Sequence, residues 1–169
     1  MSFPVESFED ILEGNAEFVR NRTPNSLTGR AARELAVITC IDSRIDPLGV
    51  LGLKPGDAKI VRNAGARVTE DVLRTLVLAS ALLNVSRVLV MPHTDCRMAS
   101  GDEWQVHQQI LEATGRDTRG IEIRTTTDQV GALAVDLMRI RSFPLLPDTL
   151  IAGGALYHVD TGKLEVVEA

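Results

Sequence analysis

Residues 6–21 carry Phe8, Ile11, Leu12, Phe18 and Val19 on one stripe at helical spacing, with polar residues between them. That pattern predicts an amphipathic helix. Residues 23–32, rich in Pro, Asn, Ser, Thr and Gly, have no such period and read as a linker. From Leu35 a regular alternation begins. Leu35-Ala36-Val37-Ile38-Thr39-Cys40 is a short apolar, β-branched run and predicts a buried strand. Asp46-Pro47 reads as N-cap and first helical residue, with Gly52 near the stop. A second strand is expected over Ala58 to Val61, ending in Arg62-Asn63-Ala64-Gly65. Thr69 caps a helix to about Asn84 whose Val72, Leu73, Leu76, Val77, Ser80 and Leu83 face inward.

Arg87 to Met91 is the third expected strand, closed by Pro92. Ser100 and Glu103 have the spacing of a capping box for a helix to about Thr114. Ile121 to Arg124 reads as a fourth strand. Thr126 and Gln129 would box a further helix carrying Val130, Leu133, Ala134, Leu137 and Met138 at helical spacing. The tail, Thr149 to Val159 and Lys163 to Val167, straddles the turn residues Asp160-Thr161-Gly162 and predicts a terminal hairpin or edge strand. Strands alternating with helices indicate an open, mostly parallel α/β sheet. The expectation is strand order 2-1-3-4, a C-terminal edge strand or hairpin and an N-terminal helical arm. All of it forms one domain over 1–169, with 1–30 as arm and linker.

Composition narrows the function classes. At 169 residues the chain is long enough to bury a core without disulfides. Aromatics are only 4%, so Val, Leu, Ile and Ala must build that core. A net charge of -5, with scattered basic residues, argues against a nucleic-acid partner. The acidic N-terminus lacks an export-signal pattern and no apolar run spans a bilayer, so a cytoplasmic enzyme with no membrane partner is expected. Cys40 and Cys96 are the only cysteines. In a reducing compartment they suit metal binding or catalysis better than a disulfide.

Those cysteines fall where topology gathers ligands. Cys40 ends the first strand, and His93 follows the third by two positions. In open parallel sheets ligands bind outside the strands' carboxyl ends, where strand order reverses. With order 2-1-3-4 that reversal lies between strands one and three, bringing Cys40 to His93 and Cys96. Two thiolates and an imidazole favour zinc over hard cations. Three protein ligands leave a position open, as in catalytic sites, and zinc lowers the pKa of water there to about 7. Asp42 and Arg44 lie within reach. The carboxylate either takes the fourth zinc position or pairs with the Arg44 fork, which together make an on/off equilibrium.

Cys40-Ile41-Asp42-Ser43-Arg44 with His93-Thr94-Asp95-Cys96 resembles the C-x-D-x-R and H-x-x-C signatures of the β-class carbonic anhydrases. Leu12-Glu13-Gly14-Asn15 with Phe18, Arg62 to Gly65, and Gly154 to Val159 followed by Thr161 to Leu164 are also similar to that family, and the short length is similar to its small archaeal- and actinobacterial-like members. The resemblance implies reversible hydration of carbon dioxide to bicarbonate. It assigns zinc to Cys40, His93 and Cys96, and gating to Asp42 and Arg44, with Asp42 as a conditional fourth ligand. It further implies a homodimer or dimer of dimers, with the N-terminal helix laid across the partner.

Other readings stay open beside these. Cys40 alone would fit a buried structural thiol, and Asp42–Arg44 a structural ion pair. Gly65 serves either a positive φ or close approach, or turns its amide toward a substrate oxygen. Asp95 serves as a proton shuttle or as a helix cap; His107 and His158 read as packing or surface residues. Arg97 stands where the family usually has glycine, and Pro92 where glycine or histidine is common. Arg97 would narrow the pocket, compete with Arg44 for Asp42, or point to solvent. It motivates an alternative function, a weak or inactive zinc-binding relative acting as a bicarbonate sensor or interaction protein. Another linear heteroallene, such as carbonyl sulfide or carbon disulfide, is a third substrate reading.

Overall fold

The computed structural model describes residues 3–23 and 26–168. Met1 and Ser2 of the expected arm, Pro24 and Asn25 of the expected linker, and Ala169 lie outside the described residues. The strands are β1 (Leu35–Cys40), β2 (Ala58–Asn63), β3 (Arg87–Met91), β4 (Ile151–Tyr157) and β5 (Leu164–Val167). They form one sheet in the order β2-β1-β3-β4-β5. β1 pairs in parallel with β2 and β3, β3 in parallel with β4, and β5 runs antiparallel to β4 as the edge strand. The helices are α1 (Glu9–Asn21), α2 (Pro47–Val50, a single turn), α3 (Glu70–Leu82), α4 (Glu103–Thr114) and α5 (Gln129–Arg141).

Alternation along β1 divides the core. Ala36 and Ile38 point to one face, where they join Val88 and Val90 under Val72, Leu73 and Leu76 of α3 and Leu133, Leu137 and Ile140 of α5. Val37 points to the other face, into a smaller cluster with Met91, Ile45 and Tyr157. That second cluster draws its remaining members from α2, the strands and loops, and takes none from α3, α4 or α5. Leu35, Ile60, Leu89 and Leu164 on it are only partly buried. A parallel sheet ordinarily has both faces covered.

Local signals account for most of the helix starts. The Asp46 side chain accepts from the Leu48 amide with Pro47 at the first helical position, and Thr69 accepts from the Val72 amide. Elsewhere the expected partners shift. The box at α4 is Asp102 with Gln105, each side chain accepting the other's amide, rather than Ser100 with Glu103. At α5 the cap is Asp128, accepting from Gly131, while Thr126 bonds to Asp128 instead. The buried face of α5 is Leu133, Asp136, Leu137 and Ile140, so Val130 and Met138 of the expected stripe are exposed.

Ile121 to Arg124 is not a strand, and the Glu103 side chain explains why. Its two carboxylate oxygens accept the Ile123 and Arg124 amides at 2.9 and 3.0 Å, which removes the donors a neighbouring strand would need. Arg124 also sits at φ 63, a left-handed turn that ends extended backbone. The sheet's fourth position goes to β4. There Gly154 allows α5 to approach closely, since a Cβ would lie 2.8 Å from Leu133 Cδ2.

No residue of α1 is buried, and Ile11, Leu12, Phe18 and Val19 are exposed along it. Among the described residues no helix is long and apolar enough to cross a membrane.

Candidate metal centre

The chain visits β1, moves to β2 on one side, then returns to β3 on the other, so strand order reverses between β1 and β3. Their carboxyl ends bring Cys40 and the loop from Pro92 to Cys96 together. One donor atom from each of Cys40, His93 and Cys96 lies within 4.8 Å of the others, and all three residues are buried. The two sulfurs are 3.9 Å apart. Burial pushes the Cys96 thiol up to about 11, with neighbouring Cys40 adding to the rise.

The histidine tests whether a metal fits. His93 Nδ1 lies 2.8 Å from the Thr94 carbonyl oxygen, which only accepts, so Nδ1 carries the ring proton. Nε2 is therefore a bare lone pair; it is fully buried and has no hydrogen-bond partner. Burial also lowers the His93 pKa and keeps the ring neutral. A buried orphan acceptor is costly unless something occupies it. Two thiols beside it make a soft divalent cation the matching occupant. Asp42 Oδ2, at 3.8 Å from Nε2, is too far to bond it and offers only another acceptor.

Asp42 instead faces Arg44. Arg44 Nε donates to Asp42 Oδ1 at 3.0 Å and Nη2 to Oδ2 at 2.7 Å, while the Arg44 amide adds a bond to Oδ1 at 2.9 Å. Those bonds hold the Asp42 carboxyl far below the usual carboxylate range, chiefly through the side-chain pair. The same guanidinium donates from Nη1 to Asp95 Oδ2 at 2.7 Å and from Nη2 to the Asp95 carbonyl at 3.0 Å. Asp95 therefore bonds to Arg44 and caps no helix.

Gly65 has φ +79, and a Cβ there would approach Met98 Cβ to 3.1 Å. Its amide donates to Cys40 Sγ at 3.4 Å, so in this structure that N–H is directed at the thiol. Arg97 is exposed and its guanidinium donates to Gln109 on α4. It does not compete for Asp42. His107 is buried against Thr118, and His158 pairs with Glu165; neither joins the cluster.

Three supporting residues escaped the reading of the sequence. Arg62 donates to the carbonyls of Cys40, Ile45 and Asp42 at 2.8, 3.2 and 2.6 Å and so fixes the turn that carries both Cys40 and Asp42. Gln129 donates to the His93 carbonyl at 2.8 Å. Buried Asp136 on α5 accepts from Arg67 Nε at 2.7 Å and anchors the loop after β2. A carboxylate on the buried face of α5 was a signal in the sequence; the targets of Arg62 and Gln129 are backbone carbonyls and leave none.

Comparison with known proteins agrees with this geometry. The carbonic anhydrase family profile matches residues 35–115, which include Cys40, His93 and Cys96. β-Carbonic anhydrase 1 of Mycobacterium tuberculosis is 31% identical over 160 residues, covering 94% of this chain and 96% of that protein. The crystal structure of carbonic anhydrase from Streptococcus mutans superposes with a TM-score of 0.90 at 32% identity, over 99% of this chain and 100% of that one. A carbon disulfide hydrolase of Acidithiobacillus thiooxidans is 27% identical over 94% of this chain and 88% of that protein. By sequence and by fold, then, the chain belongs to the β-class carbonic anhydrase family.

Proposed function

We propose that the protein catalyses the zinc-dependent, reversible hydration of carbon dioxide to bicarbonate. The observation that carries this reading is the bare, buried Nε2 of His93 converging with two thiols beside an arginine-paired carboxylate. Cys40, His93 and Cys96 would hold the ion. Zinc supplies the Lewis acidity that makes hydroxide available near neutral pH. Asp42, locked by Arg44, offers acceptor oxygens that orient the attacking water; released from Arg44, it would become the fourth ligand and shut the site. Gly65 contributes through its missing side chain, which lets the loop close against Met98, and through an amide that supports the Cys40 sulfur.

Stopped-flow hydration of carbon dioxide by zinc-loaded protein tests the reading, with a rate well above buffer expected. A rate equal to buffer across pH 7 to 9 would reject it. The inactive-relative alternative takes its motive from Arg97, whose guanidinium is bonded to Gln109 and not to Asp42. The likeness to a carbon disulfide hydrolase favours a second substrate reading. Sulfide release from carbon disulfide, with no carbon dioxide hydration, would establish it in place of the first.

Assembly as a homodimer, or a dimer of such dimers, belongs to the same proposal. It is supported by two apolar surfaces without cover: the stripe of α1 and the partly buried second face of the sheet. Phe18→Glu together with Ile11→Glu should shift the protein from dimer to monomer in light scattering at micromolar concentration. A wild-type protein that is monomeric there would overturn the assembly proposal.

A further inference from the structure

Among the described residues Arg44 is the only cationic side chain that ties the loop after β1 to the loop after β3 at the mouth of the site by direct ion pairs. Its bonds are divided without conflict. Nε and one Nη2 hydrogen go to Asp42; Nη1 and the other Nη2 hydrogen go to the Asp95 carboxylate and carbonyl. Asp95 presents both acceptors to one guanidinium from a left-handed backbone, φ 54, a conformation uncommon for residues other than glycine but one that aspartate adopts more readily than most. Its carboxylate is mostly exposed and Arg44 about half exposed, so the contact adds little to the stability of the fold.

We infer that Asp95 is a positioning residue: it holds Arg44 in place across the metal loops and so biases Asp42 toward its arginine-paired, open arrangement. The consequence for the gate rests on the proposed function; the hold on Arg44 rests on geometry alone. A long guanidinium side chain loses rotamer freedom when it pairs. With Asp95 present, Arg44 is ordered whether Asp42 is with it or away, so pairing costs no further ordering. Without Asp95, Arg44 is ordered only in the open arrangement, and the equilibrium moves toward the shut one. Repulsion between the two carboxylates opposes this, but Asp95 is solvated and its charge is screened. The other charged or titratable groups on that side are His158, already paired with Glu165, and Asp160.

Two variants separate the side chain from the backbone. Asp95→Gly removes the carboxylate while relieving the positive φ, and Asp95→Asn keeps a neutral acceptor on a residue that also tolerates it. In metal-free protein, side-chain nitrogen NMR of Arg44 should show resolved Nη signals in the wild type and averaged ones in Asp95→Gly. In cobalt-substituted protein, titration with sodium azide followed by visible absorption reads how often the fourth position is open. Azide should bind about two- to fivefold more weakly to Asp95→Gly, with Asp95→Asn between, and cobalt affinity should rise by no more than the same factor. Unchanged Arg44 signals, or unchanged azide affinity in both variants, overturns the inference. The NMR arm needs neither metal nor turnover, so a protein that fails to hydrate carbon dioxide would refute the proposed function and still decide this one.

Discussion

Cys40→Ser should empty the metal site and reduce carbon dioxide hydration to the buffer rate while leaving the fold intact. A serine hydroxyl is a hard, neutral donor in a place shaped for a soft thiolate. Structural zinc sites with four ligands bind with about 10–16 kcal/mol, or about 3 kcal/mol per ligand. Losing one ligand then weakens zinc about a hundredfold or more. Zinc affinity also falls as pH falls, in the variant as in the wild type, because burial pushes the Cys96 thiol up to about 11 and that thiol must give up its proton to the ion. The fold should persist, because Cys40 is one member of a cluster that retains Val37, Ile45, Met91 and Tyr157. Metal analysis after dialysis, circular dichroism and stopped-flow assay check the three parts. A Cys40→Ser protein with one tightly held zinc and the wild-type rate would remove the centre from the mechanism.

That the site can be foreseen at all follows from topology. β1 and β3 are short, apolar and β-branched, so their identity as buried strands is written in composition. Once both are parallel neighbours, Cys40 and His93 have to meet, whatever lies between them. What the sequence hides are the places where side chains, rather than periodicity, decide backbone structure. Ile121 to Arg124 has the residues of a strand, but Glu103 takes its amides. Glu103 is free to do so because Asp102 and Gln105 form the cap that Ser100 and Glu103 were expected to form. One misplaced box therefore produces one false strand.

The hidden part of the site has the same origin. The Asp42–Arg44 pair is local in sequence and legible; the Arg44–Asp95 bonds join residues 51 apart and depend on a left-handed turn at Asp95, which no periodicity reveals. Likewise the tautomer of His93 is set by the carbonyl of its own neighbour, Thr94, and only the folded loop shows that Nε2 is left bare. Arg97 shows an open choice that only the fold decides. It adjoins Cys96 in sequence, and of its three expected placements the exposed side chain, bonded to Gln109, fits the one away from the dyad.

Arg67→Met should destabilise the fold by about 3–5 kcal/mol although it lies outside the candidate metal centre. Asp136 is 2% exposed and Arg67 15%, so removing the guanidinium leaves a carboxylate in the core without a counter-charge. The Arg124 carbonyl loses its donor as well. For a domain of this size each kcal/mol moves the melting temperature about 2–4 °C, so a fall of about 6–20 °C is expected. The double variant Arg67→Met with Asp136→Leu removes both charges and should recover a large share of that loss, since a matched apolar pair avoids the unpaired ion. Urea unfolding of the single and double variants measures both effects; a single-variant loss under 1 kcal/mol would show that the pair is not buried in solution. The position of the pair carries the consequence to the site. Arg67 exchanges backbone hydrogen bonds with the Asn63 side chain on either side of Gly65, and Gly65 donates to the Cys40 sulfur. Loosening Arg67 would therefore weaken the hydrogen bond to the Cys40 thiol, and if Cys40 holds zinc as proposed, zinc affinity should fall along with stability in the single variant.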